Sequence, residues 1–304
     1  MSGDPLRVIS TDAGIDDALA LILLHALEEN PADFLLATGG NVPVADVARN
    51  CAYLKRTFGW PTPLFVGTDP PAEGDIRDAA NVHGPHGLGP LEPPPVELPP
   101  MARLIERLHE SAEGLDVLVL GPATDAASLL RDLALASRVR RIMLMGGAFR
   151  PRDGRLGNTT PWAEFNVYMD PSAARVVIGS GRPCRFVPLD ATESRLFTVD
   201  ELLPAERTHR KVRLLGELLE YLREAHVRLG SGNGVFMHDV IAAAVWAGHI
   251  EAEWTSTGVK EIPGSGERRG MIVPDGPDAP RVEYAHGFDE EAFLAVWEDG
   301  LRSL

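Results

Sequence analysis

Short apolar segments alternate with helical segments along most of this chain, and this alternation restricts the fold more than any other feature. Strand-like runs occupy residues 7–11, 33–38, 63–66, 115–120, 140–145 and 184–187, and stretches with helical periodicity separate most of them. Such alternation predicts an α/β fold, with one open, doubly wound, mostly parallel central sheet flanked by helices. The chain shows no repeat and no flexible linker, so we expect a single domain over residues 1–304.

The first strand and helix carry an unusual group of acidic residues. Residues 7–24, RVISTDAGIDDALALILL, place Asp12, Asp16 and Asp17 within six positions of one another around a turn. Like charges held so close disfavour ionisation, and a bound cation is a common reason to keep them together. Carboxylate oxygens favour calcium or magnesium. The alternative is that Asp16 and Asp17 only complement the positive end of the helix dipole, which leaves Asp12 unexplained.

Composition excludes several classes of protein. The net charge of −15 argues against a sequence-independent nucleic-acid surface, which needs clustered Lys and Arg. Cys51 and Cys184 lie far apart and belong to no CxxC pair, so buried free thiols are expected rather than a disulfide scaffold or a zinc site. The N-terminus does not resemble a signal peptide, and no apolar run is long enough to span a bilayer. We expect a soluble, cytoplasmic protein that binds neither nucleic acid nor membranes.

Short motifs follow one another along nearly the whole chain. They are STDAGIDDA at 10–18, Asn41, His83, GPAT at 121–124, MLMGG at 143–147, Asn158, EFNV at 164–167, Asp170-Pro171 and His238-Asp239. In this order they resemble the motifs of the inosine-uridine-preferring nucleoside hydrolases, whose signature DxDPGxDDA is similar to residues 10–18. Any one of these motifs is weak evidence, but their common order is specific. The resemblance implies a nucleoside hydrolase-like, Rossmann-like fold.

The resemblance also implies one bound Ca²⁺. The matching ligands are the side chains of Asp12, Asp17 and Asp239 and the backbone carbonyl of Leu120. Ca²⁺ takes six to eight oxygen ligands, so a shell completed by ribose hydroxyls and water is chemically reasonable. Asp239 also has a second interpretation, as the N-cap of a helix beginning at Val240.

The implied reaction is hydrolysis of the N-glycosidic bond of a ribonucleoside, giving ribose and free base through an oxocarbenium-like transition state. A metal-bound water would be activated by Asp12 as the general base. The residues implied to bind substrate are Asp16, at the ribose 2′-hydroxyl, together with Asn41, Asn158, Glu164 and Asn166. Hydrogen bonds that stabilise the loop are the alternative role of Asn158, Glu164 and Asn166, and the residues alone favour that role for Asn158.

The departing base needs a proton or a hydrogen bond, for which His238 and His83 are the candidates. His86 lies in the same loop as His83, but it can equally be an ordinary surface histidine. Base contacts would come from residues 74–90 and 221–236, and their aromatic and basic members could equally cover a helix surface: Tyr221, His226, Arg228 and Phe236.

Three positions depart from the family pattern. Ser10 and Ala13 stand where the signature has its first aspartate and its proline. Ala13 is expected to make the turn less rigid. Asp125 stands where the family often has Asn, so it is expected either to add charge near the metal or to pair with an Arg.

Two other functions compete with the hydrolase. One is a non-catalytic relative that binds a nucleoside or ribosyl ligand, although all the implied ligands are present. The other is a phosphatase with an aspartyl nucleophile, which the missing second aspartate in Ser10-Thr11-Asp12 opposes. The resemblance implies a homo-oligomer, dimer or tetramer, and the sequence chooses neither between these nor between purine and pyrimidine substrates.

Overall fold

The computed structural model describes residues 3–71, 79–151, 156–203, 209–276 and 278–304. These residues form nine strands in one sheet. The strands are β1 (Leu6–Thr11), β2 (Phe34–Ala37), β3 (Leu64–Val66), β4 (Leu115–Val119), β5 (Val139–Met145), β6 (Cys184–Val187), β7 (Ala252–Glu261), β8 (Val273–Asp275) and β9 (Arg281–Phe288). The helices are α1 (Ile15–Leu27), α2 (Val44–Phe58), α3 (Ala80–His83), α4 (Met101–His109), α5 (Thr124–Arg131), α6 (Leu133–Arg138), α7 (Phe165–Met169), α8 (Pro171–Gly179), α9 (Leu189–Thr192), α10 (Val199–Leu202), α11 (Arg210–Leu229), α12 (His238–Ala247) and α13 (Glu290–Arg302).

The strand order across the sheet is β3-β2-β1-β4-β5-β6-β9-β7-β8. All pairs from β3 to β9 are parallel, and only the pairs of β7 with β9 and with β8 are antiparallel. The prediction of a mostly parallel sheet flanked by helices is confirmed. The strand order reverses between β1 and β4, and in open α/β sheets ligands bind outside the strand ends at such a point.

Two apolar clusters cover the two faces of the sheet. One contains the buried residues of α1, α11 and α12, and the other contains those of α4, α5 and α8. In α1, every residue from Ile15 to Leu24 is buried, and in α12 every residue from Asp239 to Trp246 is buried. Helices that are apolar on all sides pack inside a protein. Both helices therefore carry the aspartates in their first turns into the interior.

The structure differs from the sequence prediction in three local features. The sequence pattern predicts a single helix over 123–136, but Asp132 interrupts it and caps α6 by accepting the N–H groups of Ala134 and Leu135. Strand β7 was not predicted, because it lies near the antiparallel edge, is largely half-exposed and lacks a continuous apolar run. The sequence pattern also predicts a mainly helical stretch over 202–229. Its residues 204–208 lie outside the described residues, and α11 accounts for 210–229. Within the described chain, no helix is both long enough and apolar enough to cross a membrane.

Candidate active site

Asp17 holds the turn between β1 and α1 together. Its Oδ1 accepts a hydrogen bond of 2.5 Å from Thr11 Oγ1, and its Oδ2 accepts from the Gly14 N–H at 2.9 Å. Asn41, in the loop after β2, donates to the same Oδ2 from Nδ2 at 3.2 Å. The carboxylate is fully buried, so these three donors provide its solvation.

Ala13 has an unusual backbone conformation in this turn, with φ at +35°. Its N–H donates to Thr11 Oγ1 at 3.2 Å, and its carbonyl accepts from Asn50 Nδ2 at 3.2 Å. A proline ring fixes φ near −65°, so this turn is closed to proline. Ala13 is thus not a loosened version of a proline turn, as the sequence suggested, but part of a different backbone conformation.

Asp12 lies at the end of β1 between two glycines. Its Oδ2 accepts the backbone N–H of Asn41 at 2.8 Å, while its buried Oδ1 has no hydrogen-bond partner. A Cβ added to Gly121 would lie 2.7 Å from Asp12 Cγ, and one added to Gly40 would overlap Oδ2. Only glycine at both positions lets the carboxylate sit where it does.

Asp16, Asp17 and Asp239 form a compact acidic cluster, with one oxygen from each lying within 4.8 Å of the others. Asp12 is not a member of this triad, but its charge interacts with those of Asp16 and Asp17. Burial, followed by the charge of Asp17, raises the pKa of Asp16 to about 7. Burial and neighbouring aspartates also raise the pKa values of Asp12 and Asp239 well above their usual range. Within the described residues, no Lys or Arg pairs with any of the four.

Asn166 orients the carbonyl that was predicted to be a ligand. Its Nδ2 donates to Leu120 O at 2.7 Å and to Met145 O at 3.1 Å. The two carbonyls follow or end the neighbouring strands β4 and β5. Asn166 therefore fixes the position of the Leu120 carbonyl, which keeps a second lone pair for another partner.

Glu164 and Asn158 are both involved in holding their own loop. Glu164 caps α7 and accepts three backbone N–H groups, from Gly147 at 2.8 Å, Asn166 at 2.7 Å and Val167 at 3.0 Å. Burial raises the pKa of this carboxyl group. Asn158 Oδ1 accepts from Phe165 N–H at 3.0 Å, which leaves its amide group as the donor. The stabilising role considered for Asn158 is present in the structure.

His83 sits against the β1–α1 turn from the opposite side of the cleft. Its Nδ1 accepts the N–H of Ile15 at 3.1 Å, which places the proton of the neutral ring on Nε2. Burial lowers the pKa of His83 to about 3. Asp16 Oδ1 lies 3.8 Å from the same Nδ1. The ring is thus a neutral hydrogen-bond donor.

Two further histidines adjoin the cleft. His238 is the first residue of α12, and its Nδ1 lies 2.7 Å from Thr192 Oγ1. His226 Nδ1 donates to Gly234 O at 3.0 Å, and burial lowers the pKa of this ring. Phe236 packs against both rings, with centroid distances of 5.6 Å to His238 and 5.5 Å to His226.

These side chains converge on one cavity of about 570 Å³ at the carboxyl ends of the strands. Ten predicted site residues line it, and Asp17 lies directly behind them in the acidic cluster. The ten are Asp12, Asp16, Asn41, His83, Leu120, Asn158, Glu164, Asn166, His238 and Asp239. An acidic floor and a histidine-rich and aromatic wall suit a neutral, polyhydroxylated ligand that carries a flat ring.

The sequence profile of the family described as "Inosine-uridine preferring nucleoside hydrolase" matches residues 8–295. The chain belongs to this family. It is therefore a nucleoside hydrolase, an enzyme that cleaves N-glycosidic bonds, and the non-catalytic and phosphatase alternatives are not supported.

Sequence relatives agree with this assignment, and a solved structure shares the fold. Uridine nucleosidase 1 of Arabidopsis thaliana is 34% identical over 249 residues, covering 77% of this chain and 71% of that protein. The non-specific ribonucleoside hydrolase RihC of Klebsiella pneumoniae is 32% identical over 244 residues, covering 78% of this chain and 77% of that protein. The solved plant nucleoside hydrolase PpNRh1 superposes with a TM-score of 0.84 at 24% identity, covering 98% of this chain and 99% of that chain. The last comparison shows the shared fold.

Asn81 and Leu222 also line the cavity of this nucleoside hydrolase, and both lie within the ranges predicted to contact the base. Thr159 and Glu193, which were not singled out from the sequence, line it as well. Glu193 directly follows the short helix after β6, where the rule about strand ends could have found it.

Of the residues proposed for base contacts, His226 and Phe236 line the cavity. Tyr221, which packs against Gly89, and Arg228, which donates to Asn81 O, are not among the described lining residues. His86 bonds Arg49 on α2 instead. Residues 74–78 of the proposed base-contact loop lie outside the described residues.

Asp125 and Ser10 have purely internal surroundings. Asp125 Oδ1 accepts from Thr68 Oγ1 at 2.8 Å, and its Oδ2 accepts from Thr68 N–H at 3.2 Å. Among the described residues it has no Arg partner, so the expected ion pair is not formed there. Ser10 Oγ is buried without a hydrogen-bond partner, and nothing in the structure explains this hydroxyl.

Proposed function

We propose that this enzyme hydrolyses ribonucleosides to ribose and free base with the help of one Ca²⁺. The proposed ligands are Asp12, Asp17, Asp239 and the carbonyl of Leu120. The observation that carries the proposal is the group of four buried aspartates at one end of the sheet, with no Lys or Arg paired to them among the described residues. Such a group is costly for an apoprotein and favourable around a cation.

The donor set fits a hard cation. All candidate ligands are oxygens, and the buried Oδ1 atoms of Asp12 and Asp16 have no protein partner. Burial and the neighbouring carboxylates raise the pKa values of Asp12 and Asp239, and a bound cation would offset both effects. Because Asp16 belongs to the compact triad with Asp17 and Asp239, it is within reach of the same ion. We nevertheless assign it to the sugar, on its match to the family motif and its position on the cavity wall.

When bound, Ca²⁺ would lower the pKa of a coordinated water and help to orient the ribose hydroxyls. Asp12 Oδ1 is the candidate general base for the attacking water, since it is buried and unpartnered and belongs to a residue that lines the cavity. Its other oxygen is held by Asn41 N–H, which fixes the plane of the carboxylate. The remaining carboxylates would stabilise the ribosyl cation as the glycosidic bond breaks.

The ribose would be held by residues on two sides of the cavity. Asp16 would accept the 2′-hydroxyl. On the other side, Asn158 can donate from its amide and Asn166 can accept at Oδ1, since their other groups are engaged in the protein. Three backbone donors already occupy Glu164, so it has capacity for about one further hydrogen bond. Asn41 contributes chiefly by holding Asp12 and Asp17.

The base would lie between His83, His226, Phe236 and His238. His83 can donate from Nε2 as a neutral ring, and His238 is the stronger candidate for the acid that protonates the departing base. The names of the relatives, a uridine nucleosidase and a non-specific ribonucleoside hydrolase, support uridine as a substrate and leave room for purine nucleosides.

A substrate panel with metal removal tests the proposal. The protein would be treated with chelator and incubated with inosine, uridine, cytidine and adenosine, with Ca²⁺, with Mg²⁺ and without metal. Free base and reducing sugar would be measured. We expect ribose release that is lost after chelation and restored best by Ca²⁺. No ribose across the panel would refute the hydrolase assignment, and undiminished release from demonstrably metal-free protein would refute the ligand assignment alone.

A further inference from the structure

We infer that Thr192 is the positioning residue for His238, and that its hydroxyl orients the ring which protonates the departing base. This inference rests on the proposed function, in which His238 is the leaving-group acid. Thr192 itself does not line the cavity among the described residues, so it would act only through His238.

The hydroxyl of Thr192 is well placed for this role. It lies 2.7 Å from His238 Nδ1, and Thr192 is fully buried. Its backbone N–H bonds the carbonyl of Pro188 at 3.0 Å, which ties α9 to the end of β6. A short hydrogen bond to a group with a rigid backbone constrains the ring far more than a contact with a mobile surface residue would.

The aromatic ring of Phe236 provides the second constraint. Its centroid lies 5.6 Å from that of His238 at an interplanar angle of 35°. Met237, between them, is fully buried. The ring of His238 is thus held by a packing contact and by Nδ1, and the edge that carries Nε2 is the one we place toward the base.

The chemistry requires Nδ1 to be occupied in this way. In the protonating step, the glycosidic electron pair passes to the base, the Nε2–H bond breaks and a new bond to hydrogen forms on the base. Nδ1 keeps its own hydrogen before and after this transfer, and Thr192 Oγ1 accepts it throughout. The ring is therefore cationic before the transfer and neutral after it, and in both forms Nδ1–H donates to the same hydroxyl oxygen.

Leaving-group dependence tests this inference. The bases of inosine and uridine leave as basic anions unless they are protonated. In contrast, 4-nitrophenyl β-D-ribofuranoside releases 4-nitrophenolate, which leaves without a proton. General acid catalysis contributes about 10²–10⁴-fold, and a misoriented acid should lose part of this. We expect Thr192→Val to lower kcat about 10- to 100-fold on the nucleosides and less than about 3-fold on the nitrophenyl riboside. Thr192→Ser should restore most of the nucleoside rate.

Thr62→Val is a matched control. Thr62 is also buried, and its Oγ1 lies 3.1 Å from a histidine nitrogen, His25 Nε2, outside the cavity. This variant removes an equivalent hydroxyl–imidazole bond and should leave the ratio of the two rates unchanged.

The outcomes separate the inference from its premise. Equal losses on both substrates for His238→Ala would show that His238 is not the acid, and the proposed leaving-group role would fail. A selective loss for His238→Ala together with equal losses for Thr192→Val would overturn only the positioning role of Thr192. Failure of Thr192→Ser to recover the nucleoside rate would also overturn it.

Discussion

Replacing Gly121 with alanine should displace the carboxylate of Asp12, the proposed general base, while leaving that residue an aspartate. The new Cβ would lie 2.7 Å from Asp12 Cγ and 2.8 Å from its Oδ1, whereas ordinary contact begins at 3.4 Å. In a close-packed interior the carboxylate must therefore move by about 0.7 Å. That movement also strains the 2.8 Å hydrogen bond from Asn41 N–H to Oδ2.

The size of the effect follows from the geometry of the reaction. A misplacement of about 1 Å costs about 100-fold in rate, so we expect kcat/KM on the best ribonucleoside to fall about 10- to 100-fold. Overpacking should also lower the free energy of unfolding by about 1–3 kcal/mol. Steady-state release of ribose and urea denaturation, both with saturating Ca²⁺, measure the two effects.

Gly179→Ala is the control for this substitution. Gly179 is exposed in α8, and an added Cβ meets nothing within 4 Å. It should keep wild-type turnover and gain slightly in stability, since alanine favours a helix. Wild-type kcat/KM in Gly121→Ala would refute the placement of Asp12 as base. If that variant does not fold, Gly40→Ala crowds the other oxygen of Asp12 and serves the same purpose.

Three further predictions concern the turn, the sugar and acid stability. Ala13→Pro should destabilise the protein by about 3 kcal/mol or more, because Ala13 has a φ of +35° and donates its N–H to Thr11. Ala13→Gly should be neutral or stabilising, and equal unfolding free energies for the two variants would contradict this. Asp16→Asn should raise KM for ribonucleosides about 10- to 100-fold through loss of a charge-assisted hydrogen bond. An unchanged KM would remove Asp16 from the sugar site. Burial lowers the pKa of His25 to about 4, so its contribution to stability is complete above the unfolded pKa near 6.5 and is lost as pH falls toward 4. Urea titrations at pH 7 and 4.5 should show about 2 kcal/mol less acid destabilisation in His25→Phe than in the wild type, and equal acid destabilisation in the two proteins would contradict this.

The sequence predicted the fold well where local patterns and tertiary burial agree. An amphipathic pattern and a terminal glycine predict a helix over about 44–58, and α2 is found at these bounds. Strands β1 to β6 were all predicted, because strands buried on both faces are apolar runs that need no partner to be recognised. Strand β7 was missed, since its exposure and polarity are set by its place near the sheet edge.

The site shows the same division. The residues after each strand could be selected from the sequence, because the carboxyl ends of parallel strands share one edge. Their relations to one another could not be. Asn41 and Asn166 are predicted to bind substrate and do line the cavity, but only the structure shows that they also hold Asp12, Asp17 and the Leu120 carbonyl.

By itself, the sequence determined the class of fold, the family and the identities of ten residues that line the cavity. Those properties depend on periodicity and on the order of motifs, which are local or one-dimensional. Only the tertiary structure decided that Asp239 joins Asp16 and Asp17 in one cluster, and that Ala13 adopts a conformation closed to proline. It also decided that Thr192 meets His238. The physical reason is that hydrogen bonds and charge interactions act over a few ångströms in space, and the partners here lie as far as 223 positions apart in the chain.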